Sequence, residues 1–343
     1  MTLRRSNLRI RRLSLRAVEW PTVGLLLACY GLWFATGLYV YPAWPVVALA
    51  MFSIIIALHS SLQHEVLHGH PTRNRHVNEG LVFLPLSVFY PYRRYQAIHL
   101  THHADERLTD PYDDPESFYR AHYDWAKLPR PIKTLLGWNN TFIGRITIGP
   151  ALALPGFLVA EARQLASRPK IRKAWMLHAV ELAGLSLVVD GVFGVPLWFY
   201  LISAYGGLSI IAVRSYCEHQ WSERPDGRTI IVEKSLLSLL FLNNNLHLVH
   251  HKRPTVPWYK LPALYAEQRE QWRAMNDGYV FANYLEIFRA FAFRSKEPVV
   301  HPVLRRSGAP IVLPPQHERD VATQPRPAMP VPTELPELRA SQL

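Results

Sequence analysis

Residues 21–63 contain no Asp, Glu, Lys or Arg, and no other feature of the chain restricts its fold as strongly. A membrane-crossing helix needs about 20 apolar residues, so this run is long enough for two. It is interrupted at Tyr41-Pro42-Ala43-Trp44-Pro45, where the prolines remove backbone donors and the aromatic rings suit a headgroup layer. The pattern predicts a helical hairpin with spans at about 21–41 and 45–63. The run is also too long for a cleaved leader and is expected to stay as an anchor.

A second pair of spans is expected at about 174–193 and 196–213, turning at Pro196 and ending at Arg214. Two shorter apolar pieces, residues 81–92 around Pro85 and 146–160 around Pro150 and Pro155, fall below spanning length and are expected to lie in the interface. The fold class that follows is an all-α membrane protein: four transmembrane helices in two hairpins, interfacial helices and a cytosolic, histidine-rich helical cap. Arg4, Arg5, Arg9, Arg11, Arg12 and Arg16 precede the first acidic residue, Glu19. The positive-inside rule therefore places the basic segment 1–20 in the cytoplasm. With four crossings the carboxyl terminus returns there, and an inner, cytoplasmic membrane is the expected location. The membrane domain runs over 21–295, and residues 296–343, rich in proline without apolar periodicity, read as a disordered tail.

Composition narrows the chemistry. The chain is 49% hydrophobic and only 19% charged, with a net charge of +12. That balance points toward the bilayer and away from a two-domain cytosolic protein, and the basic residues flank apolar runs without forming a nucleic-acid-binding module. Two cysteines, Cys29 and Cys217, cannot build a disulfide framework. Histidine is the unusual residue, with sixteen copies. They concentrate in His64-Glu65-x-x-His68-Gly69-His70, His99-x-x-His102-His103 and His247-x-x-His250-His251, with His219 standing alone before the last. On a helix, positions i, i+3 and i+4 share one face, so each triplet presents its imidazoles to one point. Neutral imidazole suits Fe, Zn, Cu and Ni. The nine candidate metal ligands are His64, His68, His99, His102, His103, His219, His247, His250 and His251. They exceed any four-coordinate site and fit two metal ions with open positions. His59, His70, His76, His122, His178, His301 and His317 lack that spacing and are expected to be ordinary polar residues. Both clusters must lie on one membrane face, which requires an even number of crossings between them.

These motifs resemble the three histidine boxes of the membrane-bound fatty acid desaturase superfamily, whose members include alkane and carotenoid hydroxylases and ketolases. The third box continues as Lys252-Arg253-Pro254-Thr255-Val256-Pro257-Trp258-Tyr259, similar to the family's own extension, and His219 matches its additional box histidine. The resemblance covers about residues 20–265. It implies a di-iron centre at the cytosolic membrane face, O2 as co-substrate and C–H abstraction from a lipid-like substrate. Where some eukaryotic members carry a further polar ligand, this chain has Ser215, and Asn243-Asn244-Asn245 is either a substitute through water or a capping cluster.

No fused haem domain is evident, so electrons are expected from a separate donor such as a ferredoxin or a cytochrome b5-like protein. Arg93, Arg94, Lys127, Arg130 and Lys133 are its candidate docking residues, although simple positive-inside loops are the better explanation of them. Glu65, Asp110, Asp113, Asp114 and Glu218 lie beside the boxes and are candidates to orient imidazoles. The expected activity is introduction of a double bond into an acyl lipid or similar amphiphile. The alternatives are a hydroxylase or ketolase of an alkane or carotenoid, and a desaturase of an unusual small substrate such as dihydrorhizobitoxine. A remote alternative is an intramembrane zinc protease, since His64-Glu65-x-x-His68 fits a His-Glu-x-x-His motif, with Asp190 as third ligand.

Overall fold

A computed structural model describes residues 18–104 and 108–303. The amino-terminal arginines, and the tail expectation from residue 304 onward, including His317, lie outside these residues. The described chain is helical apart from a two-stranded parallel sheet.

The first apolar run folds as expected. Helix α1 (Trp20–Ala43) and helix α2 (Pro45–Leu67) are separated at Trp44, whose φ of −140° leaves the helical region, and Pro45 starts α2 where its missing donor costs nothing. A wide turn at Thr36–Val40 loosens α1. It places Gly37 so close to the Phe193 ring that any Cβ there would collide with it. Helices α3 (Arg75–Leu81) and α4 (Tyr92–Ala104) follow, then α5 (His122–Lys127) and α6 (Arg130–Asn139).

Helix α7 (Phe142–Leu165) departs from expectation. The apolar piece around residues 146–160 is not short: it belongs to a continuous 24-residue helix containing both Pro150 and Pro155. Thr141 caps its start by accepting from the Gly144 amide. Prolines break helices in water but are tolerated in apolar surroundings, where neighbours satisfy the freed carbonyls. Helices α8 (Pro169–Val192) and α9 (Leu197–Ser215) form the second hairpin. Among the described residues five helices, α1, α2, α7, α8 and α9, are thus long and apolar enough to cross a membrane, where four had been expected.

Helices α2 and α9 form the spine. Phe52 packs on Tyr200, Ser53 Oγ donates to the Ser203 carbonyl at 3.0 Å, and Gly207 lies against Ile56. Since both residue numbers rise together along the contact, the two helices run in the same direction. Their carboxyl-terminal ends, at His64 and Arg214, are therefore neighbours. Small residues at the crossing allow this close approach, as in membrane helix pairs generally.

Residues 81–92 also depart from expectation. Between α3 and α4 the segment, over residues 82–91, enters the bundle without helical structure instead of resting on the surface. Val82, Leu86 and Ser87 are buried, and three side chains from the long helices satisfy its carbonyls. Tyr30 donates to Leu81 O, Tyr200 to Leu86 O, and His178 Nε2 contacts Val88 O at 2.8 Å. Irregular backbone survives at membrane depth only where protein supplies such partners.

Beyond α9 the chain forms a cap. Strand β1 (Ile231–Val232) pairs with β2 (Val280–Phe281), with Ile231 opposite Val280. Between them lie α10 (His247–Lys252), α11 (Leu261–Glu267) and α12 (Arg269–Met275), and α13 (Tyr284–Phe291) follows. Residues 296–303 pack on this cap instead of starting a loose tail: Lys296 donates to the His219 carbonyl at 2.5 Å, and His301 is buried against Tyr119.

Candidate metal centre

Three short helical ends and one bridge carry the histidines. His64 lies in the last turn of α2 and His68 caps it, while His99, His102 and His103 fill the last turns of α4. Helix α10 consists of little beyond its own triplet, and His219 lies in an isolated bridge to Thr229. These pieces bring all nine predicted ligands into two adjoining groups. His64, His68, His99, His103 and His250 form one, and His102, His219, His247 and His251 the other, with ligand atoms within 4.8 Å inside each. His103 and His251 stack across the boundary at 4.0 Å between centroids.

Hydrogen-bond logic shows what belongs between them. His102 Nδ1 meets Asp114 Oδ1 at 2.8 Å, His219 Nδ1 meets Arg228 O at 3.3 Å, and His247 Nδ1 meets Asn244 Oδ1 at 2.9 Å. Each partner is an acceptor, assigning the Asn244 amide from its neighbours, so each Nδ1 carries a hydrogen and each neutral ring turns an Nε2 lone pair inward. His102 Nε2 and His247 Nε2 nevertheless lie 3.0 and 3.2 Å from His219 Nε2, and His251 Nε2 lies 3.1 Å from His247 Nε2. Converging lone pairs repel unless a cation sits among them. Two imidazoles bound to one ion at about 2.1 Å and a right angle would be about 3.0 Å apart. The first group tells the same story: the Nε2 atoms of His64, His68, His99, His103 and His250 are buried with no hydrogen-bond partner. Buried polar atoms are rarely left so, and the donor set fits two metal ions.

Burial keeps these ligands ready to bind. It pushes His68 and His219 down to about 3, helped by the neighbouring imidazoles, and holds His103, His247, His250 and His251 well below the usual range. His102 is the exception. Burial pulls it down, but the Glu116 and Asp114 carboxylates outweigh that and push it up to about 9.

Glu116 was not among the carboxylates expected at the site. Its Oε1 lies 2.9 Å from His99 Nδ1, and its other oxygen 4.0 Å from His102 Nε2. Burial would raise its pKa, yet His99 and His102 hold it well below the carboxylate range. The available signal was the acidic stretch Asp110-Pro111-Tyr112-Asp113-Asp114-Pro115-Glu116. Within that stretch, Asp110 instead caps the turn through the Tyr112 and Asp113 amides. Glu218 pairs with Arg214 at 2.9 Å and comes within 3.8 Å of His247 Nδ1. Asn244 contacts His247 directly, while Asn243 donates to Trp258 O and Asn245 to Val232 O. Two of the three asparagines thus cap backbone, and the third orients a ligand.

Glu65 orients none of the nine histidines. It accepts from the Trp258 amide at 3.0 Å and lies near His70, which is bound by Glu19. Asp190 is exposed in the last turn of α8. A zinc protease would need Glu65 beside a metal held by His64 and His68, so that reading does not survive. The remaining histidines are held elsewhere or exposed: His59 by Tyr30, His178 by Val88 O and Glu181, and His76 and His122 at the surface. Two of the basic residues considered for a donor protein are engaged within the chain, Arg93 with Glu79 and Arg94 with Glu161.

Apolar helices that support a set of histidines able to hold two metals define a multi-pass membrane oxidoreductase of the histidine-box class. The comparisons agree. The family profile described as fatty acid desaturase matches residues 39–283, and the chain belongs to that family. The chain is also 25% identical over 248 residues to a beta-carotene ketolase of Paracoccus sp., spanning 70% of this chain and 86% of that protein.

Proposed function

We infer that this protein is an O2-dependent di-iron oxidoreductase that introduces a double bond into an acyl lipid or similar amphiphile. The observation that carries the reading is the convergence of nine imidazoles, in two adjoining groups, at the ends of apolar helices. Iron bound there would supply the oxidising power toward an unactivated C–H bond that no side chain has. The chain's own residues set the conditions. Asp114, Glu116 and Asn244 fix ring orientation and tautomer, the buried end of α2 excludes water, and the apolar surroundings receive a hydrocarbon. The balance requires two electrons from a donor protein. Together with two protons from solvent and the two hydrogen atoms leaving the substrate, each a proton and an electron, they reduce O2 to two waters. A ferredoxin or a cytochrome b5-like protein fits that role.

Topology supports the same reading. Three long apolar helices lie between His103 and His219, and an odd number of crossings would separate the clusters that meet. The placement of helix α7 supports an even count. Phe142 at its start packs on Tyr216, next to the site, while Glu161 near its end accepts from Arg94 on the helix that carries His99. With both ends near the site, α7 lies along one leaflet, and α1, α2, α8 and α9 make four crossings. The site then lies on the cytosolic face of the inner membrane.

The likeness to a beta-carotene ketolase favours a second reading, oxygen insertion into a carotenoid. Expression in a heterologous bacterium followed by mass spectrometry separates them. A product lighter by two hydrogens supports desaturation, and a product that gains an oxygen and loses two hydrogens supports the ketolase reading and overturns desaturation.

A further inference from the structure

A loop exposes leucine where a loop ordinarily exposes polar groups. Residues 235–242 read Ser-Leu-Leu-Ser-Leu-Leu-Phe-Leu and contain turns but no regular helix. Leu236 is 103% exposed and Leu239 57%. The segment is not loose at its far end: Leu242 is buried in the core shared by α1, α2 and α9, and Asn243 donates to the Trp258 carbonyl. The leucines therefore project from a fixed shoulder.

Helix α13 extends this surface. Its inner face is anchored by Ile287, which is fully buried, and Tyr284 packs against Phe241 of the loop. Its outer face exposes Leu285 and Phe288, and Phe293 just beyond it is 70% exposed beside Trp138 of α6. Phe288 also packs on Phe142, the first residue of the long apolar helix α7, so the patch is continuous with a lipid-facing element. Exposed cations Lys234, Arg289 and Arg294 lie on its rim. An apolar face with a cationic border matches the boundary between acyl chains and anionic headgroups. Contiguous apolar patches of this kind are rare on surfaces facing water.

We propose that residues 235–242 and helix α13 form a lip sunk in the acyl layer of the leaflet on the site's side, and that an amphiphilic substrate passes from the bilayer to the metal centre across it. The second half rests on the oxidoreductase reading. Its basis is proximity: Asn244, two residues past the leucine-rich segment, holds His247. The occupant is the acyl layer itself.

A spin label tests insertion without turnover. Leu236→Cys is labelled in the full-length protein in vesicles of phosphatidylglycerol and phosphatidylethanolamine. Native Cys29 and Cys217 are fully buried and leave the introduced thiol as the reactive one. The expected result is strong relaxation by O2 and weak relaxation by a water-soluble nickel chelate, with a Lys234→Cys label showing the opposite. A Leu236 label open to the chelate overturns the lip. The route is tested with Leu236→Asp/Leu239→Asp. Metal content is expected to stay as in the parent, while KM for an amphiphile presented in vesicles rises threefold or more at nearly constant kcat. Unchanged KM with a deeply inserted label overturns the route and leaves the lip. Absence of turnover in the parent overturns the oxidoreductase reading, and the label still decides insertion.

Discussion

His102 and His219 hold their Nε2 atoms 3.0 Å apart although 117 residues separate them in the chain. Each ring is fixed from behind, His102 by Asp114 and His219 by the Arg228 carbonyl. As neutral rings, the form that binds a metal, neither inward nitrogen has a hydrogen to offer the other. Without a metal the contact needs a proton on His102, and a shared metal ion takes that proton's place and turns the repulsion between neutral rings into coordination.

Removing one ligand from each group is expected to have separable effects on metal content. His219→Ala takes a ring from the group that includes His102, His247 and His251, and His68→Ala takes one from the five-membered group. Elemental analysis of the purified parent protein is expected to give about two metal ions per chain, and His219→Ala about one, with turnover at background. Two ions retained in His219→Ala, with full turnover, would remove it from the ligand set.

Glu116 acts through His99. Losing such a supporting carboxylate typically costs about 10–100-fold in metal affinity. Glu116→Ala is expected to fall in that range in a chelator competition titration, and Glu116→Gln, which can still accept from His99 Nδ1, to recover much of it. A Gln variant as weak as Ala would show that charge matters more than orientation, and a loss in neither would show that Glu116 is idle.

The site was more legible in the sequence than the membrane topology. The triplets His99-x-x-His102-His103 and His247-x-x-His250-His251 announce a shared target because helical spacing puts their rings on one face, and all nine ligands converge. Glu116 was hidden because a carboxylate thirteen residues past His103 has no spacing rule, and only the turn capped by Asp110 and Asp114 brings it back. Glu65 misled for the opposite reason. Its place between His64 and His68 suggested the metal, but it turns toward Trp258 and His70. Pro150 and Pro155 also misled, since their effect depends on whether water or protein surrounds the helix, which a proline in a sequence does not reveal. The entry of residues 81–92 into the bundle was illegible because it depends on Tyr30, Tyr200 and His178, each far away in the chain.

Gly207 controls how closely the two spine helices approach. A Cβ there would come within 2.6 Å of Ile56 Cγ2 and 3.2 Å of the Ser53 carbonyl. Gly207→Val is expected to force α2 and α9 apart, at roughly 1–3 kcal/mol by analogy with overpacked cores, and to displace His64 from its group. The checks are a lower thermal midpoint in detergent and a fall in bound metal. Gly24, with open space around it, provides the control, and Gly24→Ala is expected to leave both unchanged.

Acid should loosen the metal-free protein, and the sign follows from the histidines. His68 and His219 are lowered from the ordinary 6.5 to about 3, chiefly by burial. Between about pH 6.5 and 3 the unfolded chain therefore binds protons at these positions that the folded chain refuses, and stability falls as pH falls. At pH 5 each such histidine contributes on the order of 1–2 kcal/mol of this loss. His102 works in the other direction: raised to about 9, it stabilises the fold below its unfolded value and loses that contribution as pH rises through 9. Its carboxylate partners, Asp114 and Glu116, are both held below their ordinary values, so they add stability above about pH 4 that is lost in stronger acid. Melting curves of chelator-stripped protein are expected to show a midpoint that drops between pH 7 and pH 5 and also declines from pH 7 toward pH 9 as the His102 contribution is lost. Bound metal competes with the same protons, so the metal-loaded protein should hold its midpoint to lower pH. An unchanged midpoint of the stripped protein at pH 5 would mean that these imidazoles are not buried as neutral rings.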